Sequence, residues 1–314
     1  MQLLDSVLSL LHSIGPFGSG SIMTYLWSAT LIWSFSFSLI GVYLAGQVDS
    51  YFSVLTRITF AVLVFLPWIL RHRLPWSLAL PLAGIGAIQL GCMYLFYYHS
   101  FLLLSVPEVL IFTIFTPVYV VLLHDWLDGR FNPGYLLVSA MAVLGAAVIR
   151  YDQLSFEAVT GFLVVQGANV CFASGQVLYK RIIAQKLPKQ PPHHYFGWFF
   201  IGALMVVLPA WILLGGNQYP QTFLHWGVLI WLGVIASGFG YFIWNRGATQ
   251  VNAGQLAVMN DVLIPAGLVV NLLIWNRDTD LVRLTLGAVI MALALYLSNR
   301  LKYNSKPSRT QDTA

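Results

Sequence analysis

Long apolar segments joined by short polar connections restrict how this chain can fold more than any other feature. One of them runs from Gln89 to Trp126 and contains Glu108, a carboxylate near the start of a predicted helix. An apolar run of about 20 residues can cross the roughly 30 Å hydrocarbon core of a bilayer. Hydrocarbon offers the backbone no hydrogen-bond partners, so a run of this length is expected to be helical. The sequence therefore predicts membrane-spanning helices.

The same length criterion predicts ten spans. Their approximate limits are residues 22–45, 51–70, 77–98, 107–124, 134–150, 158–179, 195–214, 223–245, 254–275 and 284–299. The composition agrees, because 58% of the residues are hydrophobic and only 9% are charged, with a mean hydropathy of +0.76. Soluble domains carry about 25% charged residues. The predicted fold class is an all-α integral membrane protein.

The apolar pattern occurs twice. A shift of 148 positions places Pro117 on Pro265, within two similar aromatic-rich segments. A shift of 142 positions superposes Ala61, Val64, Leu66 and Pro67 on Ala203, Val206, Leu208 and Pro209. Five spans per copy is an odd number, so the second copy would be inverted in the membrane. We predict two inverted five-helix repeats, residues 22–152 and 153–299, with a substrate site between them.

Basic residues predict the orientation of the chain. If the N terminus is cytoplasmic, twelve Lys and Arg residues fall in inner loops and the tail, and three fall in outer loops. This bias satisfies the positive-inside rule, so both termini are predicted to be cytoplasmic. Residues 1–21 are interpreted either as an interfacial helix or as an early start that precedes the true one at Met23, and residues 300–314 as a tail. The basic residues lie at helix ends, which does not indicate nucleic-acid binding.

Ionisable residues inside predicted spans are candidates for function. Arg57 cannot lose its charge, so it reaches the outer interface, pairs with Glu108, or receives a substrate carboxylate. Glu108 follows Pro107 and could equally be a favourable helix start. Asp261 lies in the ninth span beside Asn260. Inverted repeats with a central site are typical of secondary transporters. We predict that Glu108 and Asp261 belong to a charge network that couples substrate transport to the movement of an ion.

Aromatic and amide side chains at membrane depth are the other candidates for a binding site, although each could serve packing alone. With Arg57, the predicted substrate-binding residues are Trp33, Tyr94, Asn169, Trp244, Asn245 and Asn260. Tyr97 and Tyr98 are assigned to the interfacial aromatic belt. Small residues at 83–87 predict a close helix contact. Cys92 and Cys171 are interpreted as packing residues, and no metal or cofactor is predicted.

Eight segments distributed over most of the chain carry a family resemblance: WSFSF (33–37), LAGQVDSYF (44–52), AVLVFLPW (61–68), IRYDQ (149–153), QVLYKR (176–181), PQTFLHWGVL (220–229), ASGFGYFIWNRGATQVNAG (236–254) and PAGLVVNLLIW (265–275). They resemble the bacterial biotin importers of the EamA branch of the drug/metabolite transporter superfamily. The resemblance implies an inner-membrane permease, surrounded by lipid, that takes up biotin by alternating access. A proton is the expected coupling ion. No site residue is carried over from the family.

Two other functions are compatible with parts of the sequence. An exporter of amino acids or other small metabolites could have the same fold, because charge bias fixes topology and not direction. A membrane enzyme would need a nucleophile with its base or clustered metal ligands. The sequence contains no HExxH, GxSxG or GxxxxGK[ST] motif, which disfavours an enzyme and an ATP-driven pump.

Overall fold

The computed structural model describes residues 20–104, 109, 112–129, 131–150, 159–186, 190–275 and 281–301. Within these ranges the protein is helical and has no β-strand. Ten helical segments follow one another: α1 Gly20–Tyr43, α2 Ser50–Arg71, α3 Trp76–Ser100, α4 Thr116–Asp128, α5 Pro133–Arg150, α6 Val159–Lys186, α7 Pro192–Leu214, α8 Phe223–Ala248, α9 Ala253–Trp275 and α10 Leu281–Arg300.

Eight of these segments are long and apolar enough to cross a membrane, and a shorter apolar helix lies at Pro133–Gly145 in α5. Large apolar side chains also cover the outer surface, and Met205, Leu213 and Val289 are each more than half exposed. Such a surface is expected against lipid and unusual for a soluble monomer. The predicted all-α membrane fold is confirmed, and the ten segments are consistent with ten spans.

Local sequence signals set the ends of several helices. Asp49 accepts a hydrogen bond from the Phe52 backbone N–H at 2.7 Å, which caps α2. Asn252 and Gln255 form a reciprocal pair at the start of α9, with each side-chain oxygen 2.8 Å from the other backbone nitrogen. This arrangement satisfies two amides that the helix leaves unpaired. Gly129, with φ of 61°, ends α4 in the left-handed conformation that glycine favours.

The third helix of each half contains a π-helical segment. In α3 it covers Ala87–Cys92, and in α8 it covers Leu232–Phe239. A π segment widens the helix and often occurs at functional sites. Because a π segment occurs in the third helix of both halves, it supports the duplication that the sequence predicts.

The first helix of each half packs against helices of the other half. The first helix of the chain, α1, packs against α8 and α9, and its counterpart α6 packs against α3 and α4. The helices α2 and α7 lie against each other, as do α5 and α10. The core is therefore shared between the halves, which places any central cavity at their interface. The predicted boundaries at 152/153 and 299/300 stay predictions, because residues 151–158 and 302–314 lie outside the described ranges, as do residues 1–19.

Glycine lets α3 and α7 approach very closely. A Cβ atom at Gly86 would lie 1.7 Å from the Phe199 carbonyl oxygen, and one at Gly202 would lie 1.8 Å from the Ala83 carbonyl oxygen. Both distances are far below van der Waals contact. The close helix contact predicted from the small residues at 83–87 is present, and it holds α3 against the other half.

Candidate functional site

A cavity of about 130 Å³ lies between the two halves. It is much larger than the roughly 10–15 Å³ that one water requires. Its walls are mainly aromatic and apolar, with a few polar groups, as is typical of small-molecule sites. The lining residues are Trp33, Ser36, Phe37, Ile40, Arg57, Met93, Tyr94, Tyr97, Thr113, Thr116, Ala168, Asn169, Phe172, Tyr241, Asn260, Leu263 and Ile264.

Arg57 provides the cationic group of this cavity. Its side chain turns into the protein, and the residue is only 3% exposed. Its nitrogens donate to three hydroxyls: Nε to Ser237 at 3.2 Å, Nη1 to Tyr98 at 3.0 Å and Nη2 to Tyr94 at 2.6 Å. The guanidinium carbon also lies 4.5 Å from the centre of the Tyr94 ring. These contacts fix the guanidinium and exclude the alternative in which Arg57 reaches the outer interface.

The charge of Arg57 is not neutralised within the described part of the chain, where no carboxylate lies within 4.0 Å of it. Hydroxyls and an aromatic face stabilise a buried cation only in part. Three of its five N–H groups are used by the hydroxyls. A guanidinium in this state can bind a carboxylate through charge-assisted hydrogen bonds.

Trp33 lies at the centre of an aromatic wall. Its ring centroid is 5.0 Å from those of both Tyr241 and Trp244, and 5.9 Å from that of Phe172. Its indole Nε1 donates to the Ala236 carbonyl at 2.8 Å, within the π segment of α8. The hydrogen bond and the neighbouring rings orient the indole toward the cavity.

A chain of amide hydrogen bonds joins three helices beside the cavity. The indole Nε1 of Trp244 donates to Gln176 Oε1 at 3.0 Å, and Gln176 Nε2 donates to Asn260 Oδ1 at 3.2 Å. Asn260 in turn donates to the Leu256 carbonyl at 2.7 Å. Asn260 lines the cavity, whereas Gln176 is fully buried beyond the lining. The chain links α8, α6 and α9.

Asn169 closes the cavity on the α6 side. Its Nδ2 donates to the Phe112 carbonyl at 2.8 Å and to Gln166 Oε1 at 3.0 Å. Gln166 also receives a hydrogen bond from the Tyr119 hydroxyl at 3.1 Å. Because both donors of Asn169 are used, its amide oxygen is the group that can accept a hydrogen bond from a ligand.

The structure brings together five of the residues that the sequence predicted for the site. Those that line the cavity are Arg57, Trp33, Tyr94, Asn169 and Asn260.

The other predicted residues lie elsewhere. Trp244 is buried behind Trp33, and Asn245 is fully buried and donates to the Tyr241 carbonyl within its own helix. Asp261 is 1% exposed and does not line the cavity; its Oδ2 has no hydrogen-bond partner in the described part of the chain. Glu108 lies outside the described residues.

Sequence reasoning missed several members of the site, and one of its assignments is wrong. Tyr97 and Tyr98 are buried rather than part of an interfacial belt, and Tyr98 accepts a hydrogen bond from Arg57. Ser237 and Tyr241 were not singled out. The signal for Tyr241 was the duplication, because a shift of 147 positions places Tyr94 on Tyr241; the same shift places Leu90 on Ser237, so it gives no signal for Ser237.

The site is asymmetric despite the duplication. The shift of 142 positions that aligns Pro67 with Pro209 places Arg57 on Phe199. Glycine contacts support this equivalence: Gly86 faces the Phe199 backbone, and a Cβ at Gly233 would lie 3.2 Å from the Arg57 carbonyl oxygen. Phe199 is fully buried and apolar. One half therefore supplies a cation where the other supplies a ring, and Arg57 is the cation among the described residues that line the cavity.

Comparison with known proteins agrees with this architecture. Residues 20–151 and residues 159–300 each match the EamA-like transporter family. The chain belongs to the EamA-like transporter family. One match falls in each half, so the internal duplication is a duplication of the EamA unit.

Curated relatives cover nearly the same length. A protein of Pseudomonas aeruginosa named "Probable biotin transporter" is 51% identical over 280 residues, which cover 89% of this chain and 98% of the relative. The "Biotin transporter" of Escherichia coli K12 is 46% identical over 284 residues, or 88% of this chain and 93% of the relative. A solved structure described only as a crystal structure of a protein matches with a TM-score of 0.73 at 17% identity, covering 89% of this chain and 98% of its own. That likeness concerns the fold alone.

Proposed function

We propose that this EamA-family chain is a secondary transporter that imports biotin across a bacterial inner membrane by alternating access. The names of relatives at 45–51% identity support biotin as the substrate. The observation that carries the site assignment is the buried Arg57 in the cavity wall, hydrogen-bonded only to hydroxyls in the described part of the chain. It offers an unneutralised positive charge to an anionic ligand.

The chemistry of biotin fits the residues present. Biotin has one carboxylate, an apolar valeryl chain and thioether ring, and a ureido group with two donors and an acceptor. Arg57 would bind the carboxylate, while the rings of Trp33 and Tyr241 would contact the apolar part. The amides of Asn169 and Asn260 would bind the ureido group at the other side of the cavity. The single cation would orient the ligand.

Transport would use the relative movement of the two halves. The cavity lies at their interface, where each half contributes helices that pack on the other. Rocking of inverted repeats around a central site is a common mechanism of secondary transporters. With no ATP-binding motif in the sequence, an ion gradient would supply the energy, and Asp261 and Glu108 are the proposed coupling groups. The chain would act as a permease and not as an enzyme.

The test is uptake of labelled biotin, at low external concentration, by cells that neither make nor import biotin without this chain. We expect saturable uptake that unlabelled biotin competes away and that stops when the proton gradient is dissipated. If the protein reaches the membrane but no uptake occurs, the biotin assignment is wrong. Efflux of an amino acid from preloaded cells would then support the exporter.

A further inference from the structure

A second cavity lies at the end of the molecule where α4 and α6 finish and α9 begins. It measures about 450 Å³ and is lined by His124, Leu127, Asp128, Tyr135, Val177, Lys180, Arg181, Ala184, Gln185, Asn252 and Ala253. The first half supplies the residues from α4 and α5, and the second half supplies those from α6 and α9. Like the first cavity, it therefore opens between two parts that transport would move apart.

One face of α6 connects the two cavities. Asn169 lines the first cavity, Lys180 lines the second, and Gln176 lies between them. Their spacings of seven and four residues place all three on the same side of an α-helix. From the first to the last the helix rises roughly 16 Å, at about 1.5 Å per residue. The three side chains thus form a line that runs from one cavity to the other.

Gln176 is the barrier on this line. It is fully buried and holds Trp244 from α8 and Asn260 from α9 through its two amide atoms. A ligand that passed from Asn169 to Lys180 would have to break these two hydrogen bonds. The bonds join α6, α8 and α9, which all belong to the second half, so opening this path would require these helices to separate within that half.

Lys180 is the cation of the second cavity that retains binding capacity. Its ammonium donates to the Val251 carbonyl, and no carboxylate in the described ranges lies within 4.0 Å of it. Two of its three N–H groups have no hydrogen-bond partner in the described part of the chain. The neighbouring Arg181 differs, because its Nη1 is 2.9 Å from Asp128 Oδ1 and is neutralised by that contact.

We propose that the second cavity is a second carboxylate site on the transport path, in which Lys180 binds the anion after it passes Gln176. The proposal rests on the proposed function and extends it. Arg57 and Lys180 would serve opposite faces of the membrane. In the orientation predicted here, the Lys180 site faces the cytoplasm.

The test measures biotin transport by right-side-out and inverted membrane vesicles, which expose opposite faces of the protein. We expect Lys180→Gln to raise the KM for biotin in inverted vesicles by about tenfold, the effect of losing a hydrogen bond to a charged group. In right-side-out vesicles the KM is expected to change less than about twofold, since Arg57 is untouched. Lys180→Arg, which keeps the charge, should restore most of the affinity.

Two controls separate binding from structure. Lys186→Gln removes an exposed lysine of the same helix, whose ammonium donates to the Ser77 carbonyl at 2.5 Å, and should leave both KM values unchanged. Biotin amide lacks the carboxylate, so Lys180→Gln should not alter its transport from either face. An unchanged KM in inverted vesicles, or an equal effect on biotin and its amide, would overturn the proposal.

An independent measurement does not depend on Lys180 variants being stable. Ala184 lines the second cavity and is exposed, so Ala184→Cys, in a chain with Cys92→Ala and Cys171→Ala, should react with a thiol reagent added to inverted vesicles. Biotin should slow this labelling and biotin amide should not; equal labelling with and without biotin would contradict the second site. If the unaltered chain transports biotin from neither face, the proposed function itself fails. If it transports biotin but both tests are negative, only the second site fails.

Discussion

The guanidinium of Arg57 on α2 and the hydroxyl of Ser237 on α8 lie 3.2 Å apart, although each belongs to a different half of the duplicated chain. Ser237 is part of the π segment of α8, and its oxygen is also 3.1 Å from the Tyr94 hydroxyl. The cation of the cavity is thus held by both halves. Movement between the halves would change the hydrogen bonds that Arg57 makes, and under the proposed function this would link substrate binding to conformation.

Arg57→Gln should weaken biotin uptake through the loss of the carboxylate contact. A hydrogen bond to a charged group contributes about 1.5–3 kcal/mol, which corresponds to a rise in KM of roughly 10- to 150-fold. Arg57→Lys keeps the charge but loses the fork of parallel donors, so we expect an intermediate KM. Initial rates of labelled uptake over a range of biotin concentrations measure both variants.

The matched control for Arg57 is Arg300→Gln, which alters an exposed arginine that contacts Tyr296 on the surface. It should transport biotin normally. Inhibition of labelled uptake by biotin amide provides a second readout, since the affinity for this neutral compound should not depend on Arg57. If Arg57→Gln weakened biotin and its amide equally, Arg57 would be a structural residue and not the carboxylate site.

Tyr94→Phe should raise the KM for biotin by about three- to tenfold, because it removes the shortest hydrogen bond of Arg57, the 2.6 Å contact to the Tyr94 hydroxyl. The ring that covers the guanidinium would remain. Tyr296→Phe removes an exposed hydroxyl on α10 and is the matched control. A KM for Tyr94→Phe equal to that of the unaltered protein would show that the hydroxyl does not position Arg57.

Gly86→Ala should destabilise the protein, because the added methyl group would lie 1.7 Å from the Phe199 carbonyl oxygen. Overpacking of this kind typically reduces the free energy of unfolding by about 1–3 kcal/mol. Gly84→Ala is an informative control, since a Cβ at Gly84 meets no atom within 4 Å. Thermal unfolding of the two purified variants in detergent measures the difference, and equal midpoints would show that α3 and α7 are not so tightly packed.

Asp261→Asn tests the proposed role in coupling. The carboxylate is 1% exposed and its Oδ2 lacks a hydrogen-bond partner in the described ranges, so the isosteric amide should be tolerated in the fold. We expect accumulation of biotin driven by a proton gradient to be lost, while exchange of biotin between the two sides of a proteoliposome continues. Normal accumulation by Asp261→Asn would exclude Asp261 as the coupling group. The same two measurements, accumulation and exchange, on Glu108→Gln test Glu108 as the coupling group.

The fold could be predicted largely from the sequence because its determinants are local or periodic. Apolar length specifies a membrane helix wherever it occurs, and eight of the ten predicted spans end within three residues of the observed helices. The fourth and sixth differ, because α4 runs from Thr116 to Asp128 and α6 continues to Lys186.

Several aligned positions together indicated the duplication, among them Pro67 with Pro209 and Pro117 with Pro265. The small residues around Gly86 predicted a close helix contact. They did not predict that α7 is the helix in contact, since the sequence does not say which helix lies opposite.

The binding site could be predicted only in part, because it depends on which way each side chain points. Arg57, Trp33 and Tyr94 were found as unusual polar or aromatic residues at membrane depth. Tyr98 was assigned to an aromatic belt, since a tyrosine near a helix end usually lies at the interface. In the folded protein α6 and α2 pack against that end of α3, so Tyr98 is buried and receives a hydrogen bond from Arg57.

The sequence by itself determined that the chain forms helices in a membrane, that its two halves are copies, and that a cation lies within the bilayer. Only the tertiary structure decided that this cation faces a cavity and that hydroxyls from both halves hold it. The reason is physical. Transfer of apolar residues into lipid depends on composition over about 20 residues, whereas a binding site depends on distances of about 3 Å between residues as far apart as Arg57 and Ser237.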